Sequence, residues 1–364
     1  MVSRRRAALV SLVALGTAAA LAATPSASAV RADSGNGVRV VTTGLDDPFG
    51  IQKAIGHRGF VVAESVSGEV TRVFASGRQR VILDGVPGVA GVAASPHRVF
   101  AVIGGPSEEG APSGGKYGPS RLLRMDYRGK HVKVIANLMR YELKHNPDGQ
   151  VQFVNGQPVD ALSNPFAMTW SRFGLFVADG GANDVLRINP RTGKVHTFFV
   201  PKTVKNVDAC KGPDANANPG TKGCDPVPTG VQVVGNSLYV STLGAEAPGA
   251  GRIYKLNART GHVQRVWRGL TAPTGVEARR DGTVYFSQVL FGAPEGEPGP
   301  GFNPADVGRI GRIHNGHVAY AQVTMPTGLE LKNGHLFSTA WSIASFLGMS
   351  HAGQVVKVAG RAFK

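Results

Sequence analysis

The chain has 364 residues, with 49 Gly, 23 Pro, two Cys and a formal net charge of +16. That length supports a large core, two cysteines exclude a disulfide-dense scaffold, and the Gly and Pro content suits many tight turns rather than a helical bundle. A charge this positive either favours salt-sensitive association with polyanions or simply solubilises strand edges.

In chain order, residues 1–29 read as a secretory signal peptide. Arg4, Arg5 and Arg6 supply the positive start, residues 7–23 carry no charge, and Ala27-Ser28-Ala29 has the small-x-small pattern of a cleavage site. A retained anchor helix is the alternative, against which the run is short and Ala-rich for a span. Cleavage near Ala29 removes three arginines and lowers the charge from +16 to +13. A secreted chain without a membrane span is then expected, exported by the general or the twin-arginine route. Residues 30–37 form a short lead-in, and 38–364 a single domain with no dividing linker.

From residue 38 the sequence repeats, which decides the fold before any motif is weighed. Six turns open six units: Asp47-Pro48-Phe49-Gly50, Gly88-Val89-Ala90-Gly91, Asn164-Pro165-Phe166-Ala167, Val227-Pro228-Thr229-Gly230, Ala272-Pro273-Thr274-Gly275 and Met325-Pro326-Thr327-Gly328. Each leads to a run rich in β-branched and aromatic residues, at 59–64, 98–103, 174–179, 237–242, 283–288 and 335–340. A third run alternates apolar residues with Arg or Lys, as in Leu186-Arg187-Ile188, and marks a strand with one wetter face. Fourth strands are expected at 79–83, 131–136, 195–200, 263–267 and 318–323, but the sixth unit lacks one. Residues 38–42 can complete it from the other end of the chain. The expected fold is therefore all-β, a six-bladed β-propeller of four-stranded blades closed by the N-terminal strand, with seven blades as the alternative.

Four segments exceed what a turn needs: 104–119, 140–163, 201–226 and 290–307. Segments joining second to third strands and segments joining one blade to the next are expected on opposite faces. No helical apolar period is sustained beyond the N-terminus. Cys210 and Cys224 bracket the Gly/Pro/Asn-rich 201–226 segment, and in an exported chain such a pair reads as a disulfide.

Tyr141-Glu142, Asn146-Pro147-Asp148, Ser163-Asn164-Pro165-Phe166 and Val177-Ala178-Asp179-Gly180-Gly181-Ala182-Asn183 resemble the pattern of the ScyD/ScyE-type secreted propellers. More distantly, 174–188 is similar to NHL-repeat and gluconolactonase-like propellers. The first resemblance implies an exported propeller with no established reaction. It directs attention to a binding face of Tyr141, Glu142, His145, Asn146, Asp148, Asn164 and Phe166, with Phe49 at the channel mouth. The second implies a divalent cation over the channel, held by carboxylate and amide oxygens as calcium prefers. Glu277 and Glu330, with Gln52 and Gln232 at the same register, and Asp179 at a strand end are the candidates; the plain reading is that repeats place like positions in rings, and that Asp179 with Asn183 caps a turn.

The ten histidines lack partners at ligand spacing, and no Gly-x-Ser-x-Gly, phosphate loop, HExxH or paired-Cys zinc motif occurs. Two functions lead, a binding or scaffolding module at the cell surface and a calcium-assisted lactonase or related hydrolase; a quinone-dependent dehydrogenase stays open without a motif for it. The partner of the first is a wall or other polyanionic polymer, a protein, or a small molecule at the channel mouth. Nucleic acid is not expected, because the basic residues are spread along the repeats without aromatic interleaving. A monomer is expected.

Overall fold

The computed structural model describes residues 36–106, 113–159, 161–294, 296 and 298–364. The expected leader and most of the lead-in lie outside them. Six four-stranded antiparallel sheets form, and in five the strands pair in chain order. The first blade comprises Pro48–Lys53, Phe60–Glu64, Glu69–Val73 and Gln79–Leu83. The second comprises Val89–Ala94, Val99–Ile103, Arg121–Met125 and Lys133–Asn137; the third, Pro165–Ser171, Gly174–Asp179, Asp184–Ile188 and Val195–Phe199. The fourth holds Pro228–Val234, Ser237–Thr242, Gly251–Asn257 and Val263–Leu270, and the fifth Val276–Ala278, Val284–Gln288, Arg309–His314 and His317–Ala321.

The sixth sheet is built from both chain ends. Leu329–Lys332, His335–Ala340 and Gly353–Val358 come from the C-terminal end, and Val38–Leu45 adds the outermost strand, with Val38 opposite Val358 and Leu45 opposite Gly353. The last residues then cross back to the fifth blade, where Lys364 and Tyr320 exchange two backbone hydrogen bonds of 2.9 and 3.0 Å.

Second strands such as Val99–Ile103 are buried at every residue because each blade is sandwiched between two others. Their side chains form clusters that straddle blade boundaries, as where Val61 and Ala63 of the first blade pack with Val92, Ala101 and Leu123 of the second.

The recurring Pro-Thr-Gly turn has a physical cause at the channel. Thr229 Oγ1 donates to the Thr274 carbonyl of the next blade at 2.9 Å, and Thr327 Oγ1 to the Phe49 carbonyl at 2.9 Å. Ser241 and Ser287 reinforce the same carbonyl positions at 2.8 and 2.6 Å. Glycine follows because a Cβ on Gly275 would stand 2.1 Å from the Thr327 carbonyl oxygen. Before the prolines, Asp47, Val227, Ala272 and Met325 adopt φ of 43–49°, an outlying conformation for a β-branched valine.

Strand direction alternates, so second and fourth strands both finish where first strands begin. Both kinds of connection therefore share one face, contrary to the expectation of opposite faces. The Gly105 amide donates to Asn164 Oδ1 at 2.8 Å and ties one kind to the other. The 140–163 segment also departs from expectation, since it opens with a helix, Leu138–His145. Asn137 caps it by accepting from the Arg140 amide, and Asn146 ends it at φ 42°. Cys210 and Cys224 form the expected disulfide. Closing 14 residues of chain contributes about 3 kcal/mol on the loop-entropy model.

A chain lacking residues 36–45 leaves Gly353–Val358 as an open edge and is expected to self-associate. Sedimentation velocity should show oligomers together with loss of the cooperative thermal transition. A monomer with unchanged melting would contradict the closure.

Candidate functional site

The channel is closed at its mouth. Phe49 and Phe166 meet edge-on across it at 5.2 Å, within an apolar cluster that includes Val227, Leu243, Val289, Met325 and Ile343. Beneath them, Gly50, Gln52, Gly91, Thr229 and Gly328 help line a cavity of about 40 Å³. That is room for about one water, far below the several hundred Å³ of an ordinary ligand pocket.

At the far end of the first strands lies a buried polar chain. Thr169 Oγ1 donates to Gln232 Oε1 at 2.5 Å, and Gln232 Nε2 donates to Glu277 Oε2 at 2.8 Å. Glu277 also accepts from the Leu331 and Ala278 amides, at 2.9 and 2.8 Å. Glu330, fully buried, is paired with the Lys53 ammonium at 2.7 Å. Burial raises Glu277 above the usual carboxylate range, and burial, offset by Lys53 and reinforced by Glu277, carries Glu330 to about 7. Burial pulls Lys53 down, but Glu330 outweighs it and leaves the ammonium firmly charged.

These residues do not fit a calcium ring. The Lys53 ammonium supplies the positive charge beside Glu330, and Gln232 turns its NH₂, not its oxygen, toward Glu277. Asp179 stands at the other end, opposite Pro165 at the start of a first strand, so Gln52, Glu277, Glu330 and Asp179 do not converge. Among the described residues, no three carboxylate, imidazole or thiolate groups form a ready-made metal cage.

Asp179 caps its turn, accepting from Ser163 Oγ at 2.7 Å and the Asn164 amide at 2.6 Å. Burial raises it to about 6 against those bonds. Directly opposite in the hairpin stands Asp184, fully buried, and neither of its carboxylate oxygens meets a donor among the described residues. Burial, and then the charges of Asp179, Glu142 and Asp148, hold Asp184 well above the usual carboxylate range. Sequence reading missed it, because one Asp after a Gly-Gly-Ala-Asn turn looks like turn chemistry.

The expected binding face divides. Glu142 is buried on the inner side of the helix and accepts from Gln152 Nε2 at 3.1 Å. Asp148 accepts from the Gln150 amide at 3.0 Å and Asn183 Nδ2 at 3.1 Å. Asn146 holds the helix end. Tyr141 stacks on the exposed His145 at 4.4 Å and accepts from the Thr197 amide at 2.8 Å. Asn164 and Phe166 turn toward blade contacts and the channel.

A cleft that the sequence did not announce opens on the opposite face, between the second and third blades, with a volume of about 1090 Å³. Arg98, Arg172, Arg191 and Lys194 reach it from turns and are exposed; Arg124 and Arg187 reach it from third strands and are half-buried. Trp170 and Phe173 supply flat apolar surface, and among the described residues no carboxylate lines the cleft. Arg124 braces the two blades by donating to the Pro190 and Arg191 carbonyls, each at 3.1 Å. The ion pairs among the described residues involve none of these cations.

The Lys53–Glu330 pair generates a signed prediction. Removing one partner of a buried pair costs about 3–5 kcal/mol. Because Lys53 is 44% exposed, about 2 kcal/mol is expected for Lys53→Met at pH 8. Glu330 already titrates above its unfolded value, so its contribution is most favourable in acid and is lost as pH rises toward 7. Without Lys53 that loss deepens; urea denaturation should therefore show a smaller penalty at pH 5 than at pH 8, and restoration by Glu330→Gln in the same chain. Equal penalties at both pH values would contradict this.

No family model matches the chain, and no curated protein matches it. Solved structures do resemble it. A gluconolactonase from Xanthomonas campestris superposes with TM-score 0.52 at 12% identity, over 88% of this chain and 89% of its own. The PQQ-bound aldose sugar dehydrogenase of Streptomyces coelicolor gives 0.52 at 15% identity, over 88% and 97%. Regucalcin of Agrobacterium tumefaciens, described as a calcium-binding protein, gives 0.52 at 12% identity, over 89% and 94%. At such identities the likeness carries the fold alone: the chain is a six-bladed β-propeller with neighbours of the gluconolactonase-like kind.

Proposed function

We propose that the protein is an exported binding module that grips a polyanionic polymer of the cell surface in the cleft between its second and third blades. The observation that carries this reading is the cleft itself, a groove lined by five arginines and a lysine and, among the described residues, by no carboxylate. Such a wall concentrates positive potential and attracts a phosphate- or carboxylate-bearing chain from a distance. Arginine guanidinium groups then suit bidentate contact with those anions. Trp170 and Phe173 offer faces for the apolar sides of sugar rings. The disulfide, the resemblance to ScyD/ScyE-type secreted propellers and the signal-like N-terminus all support an extracellular address. Among the described residues no helix is long and apolar enough to cross a membrane.

The hydrolase reading draws on structural neighbours that include a gluconolactonase, but its proposed calcium positions are held by Lys53 and by turn capping.

The test uses the mature chain with poly(glycerol phosphate), neutral dextran and duplex DNA of matched length. Binding to the phosphate polymer should fall steeply between 50 mM and 500 mM salt, as conditions of about this range shorten the screening length several-fold. A triple Arg98→Ala, Arg191→Ala, Lys194→Ala variant should lose about tenfold in affinity, since exposed pairs contribute up to about 1 kcal/mol each. Equal binding to dextran, or unchanged affinity in the triple variant, would contradict the proposal. Tighter binding to DNA would reassign the partner.

A further inference from the structure

The acidic pocket behind the Leu138–His145 helix is a separate charged feature. Its centre is Asp184, whose two carboxylate oxygens are fully buried with no donor in reach among the described residues. The pocket is also rich in other acceptors. The helix buries Glu142 on its inner side, and the segment that follows carries Asp148, whose charge, like that of Glu142, bears on Asp184. Asn146 Oδ1 and Gln150 Oε1, in the same segment, are buried oxygens that likewise meet no donor among the described residues. The side chain of the adjacent Asn183 has other work: its Nδ2 donates to Asp148, and its oxygen accepts from the Val227 amide, each at 3.1 Å.

Leaving buried acceptors unsatisfied costs free energy, and a buried carboxylate without a partner costs most of all. Lys53 answers that demand for Glu330 elsewhere in this chain. No lysine or arginine plays the part for Asp184 among the described ion pairs. What the pocket does offer is oxygen: carboxylates and amide carbonyls in the 146–150 turn, which Asp148 ties to the hairpin through Asn183. A set of this kind suits a hard divalent cation that takes six to eight oxygens, mixing carboxylates with amide carbonyls and water.

We propose that this pocket binds calcium, with Asp184 supplying the buried charge, Asp148, tied to the hairpin through Asn183, a second carboxylate, and Asn146 and Gln150 amide oxygens. The site does not depend on a cage of three carboxylates, which the described residues lack. It differs from the channel positions considered above, and it lies at the opposite end of the third blade from the basic cleft. The six-residue strand Gly174–Asp179 separates the two ends by about 17 Å at a strand's rise per residue. Its effect would be to fix the helix and the 146–150 turn against the hairpin, ordering one face of the ring.

The experiment is thermal unfolding and calorimetric titration of the full mature chain, stripped with EDTA, against calcium chloride and against magnesium chloride. Wild type should gain several degrees of melting temperature with calcium and bind one ion per chain, with a smaller response to magnesium. Asp184→Asn removes the buried charge while keeping shape; it should melt at least as high as wild type without calcium and show no calcium shift. If that variant fails to fold, Asp148→Ala, at a half-buried position, should weaken calcium binding at least tenfold. The inference is overturned if wild type takes up no calcium in the titration, or if Asp184→Asn or Asp148→Ala retains the full shift. Polymer binding in the basic cleft should persist in Asp184→Asn, so failure here and failure of the cleft reading are distinguishable.

Discussion

The whole molecule depends on how closely its first strands approach around the channel. Thr229 and Thr327 hydrogen-bond to the backbone carbonyls of the following blade, and the glycines after them leave room for those carbonyls. The step from Thr327 to Phe49 joins the last blade to the first, so the inner ring closes through the same contact that builds it. On the outside, Val38–Leu45 closes the sixth sheet. Closure at both radii leaves only short, protected sheet edges and sets the end of the ring at which each described connection emerges. The cost is visible in the positive φ before four prolines, strain that the surrounding ring over-determines.

With the ring closed, charges scattered along the chain are sorted by face. Hairpins between first and second strands, together with turns between third and fourth, gather Arg98, Arg172, Arg191 and Lys194 at one end of adjacent blades. Connections at the other end carry the helix, the disulfide and the acid-rich hairpin. The centre is narrow, with Phe49 and Phe166 meeting over a cavity of about 40 Å³ and the Lys53–Glu330 pair toward the other end. Chemistry is thus displaced from the channel to the rim, where single loops and blade boundaries determine it.

Much of this was legible in the sequence. The Pro-Thr-Gly turns, the apolar second strands and the missing sixth outer strand together specified blade number and closure, because each reflects a local backbone need. The disulfide was readable from two cysteines in a turn-rich insertion. Other features were not readable, for reasons of distance. The Leu138–His145 helix is too short for an apolar period, and its inner face holds Leu138 and Glu142, a pair without a hydrophobic signature. Shared placement of the two loop types follows from counting strand directions, which residue patterns do not display. Arg98 and Arg191 lie more than ninety positions apart, so a cleft made of both exists only after the blades stack. Asp184 carried no signal of its own at the head of a third strand, since the lack of a donor among the described residues exists only once the hairpin and helix pack together.

The most direct test is a footprint of bound poly(glycerol phosphate) by amide hydrogen exchange on a chain of residues 30–364. Protection confined to residues 95–98, 170–174 and 187–196 is the predicted result. Protection centred instead on residues 138–163 or on the 201–226 segment would place the partner on the other face and contradict it.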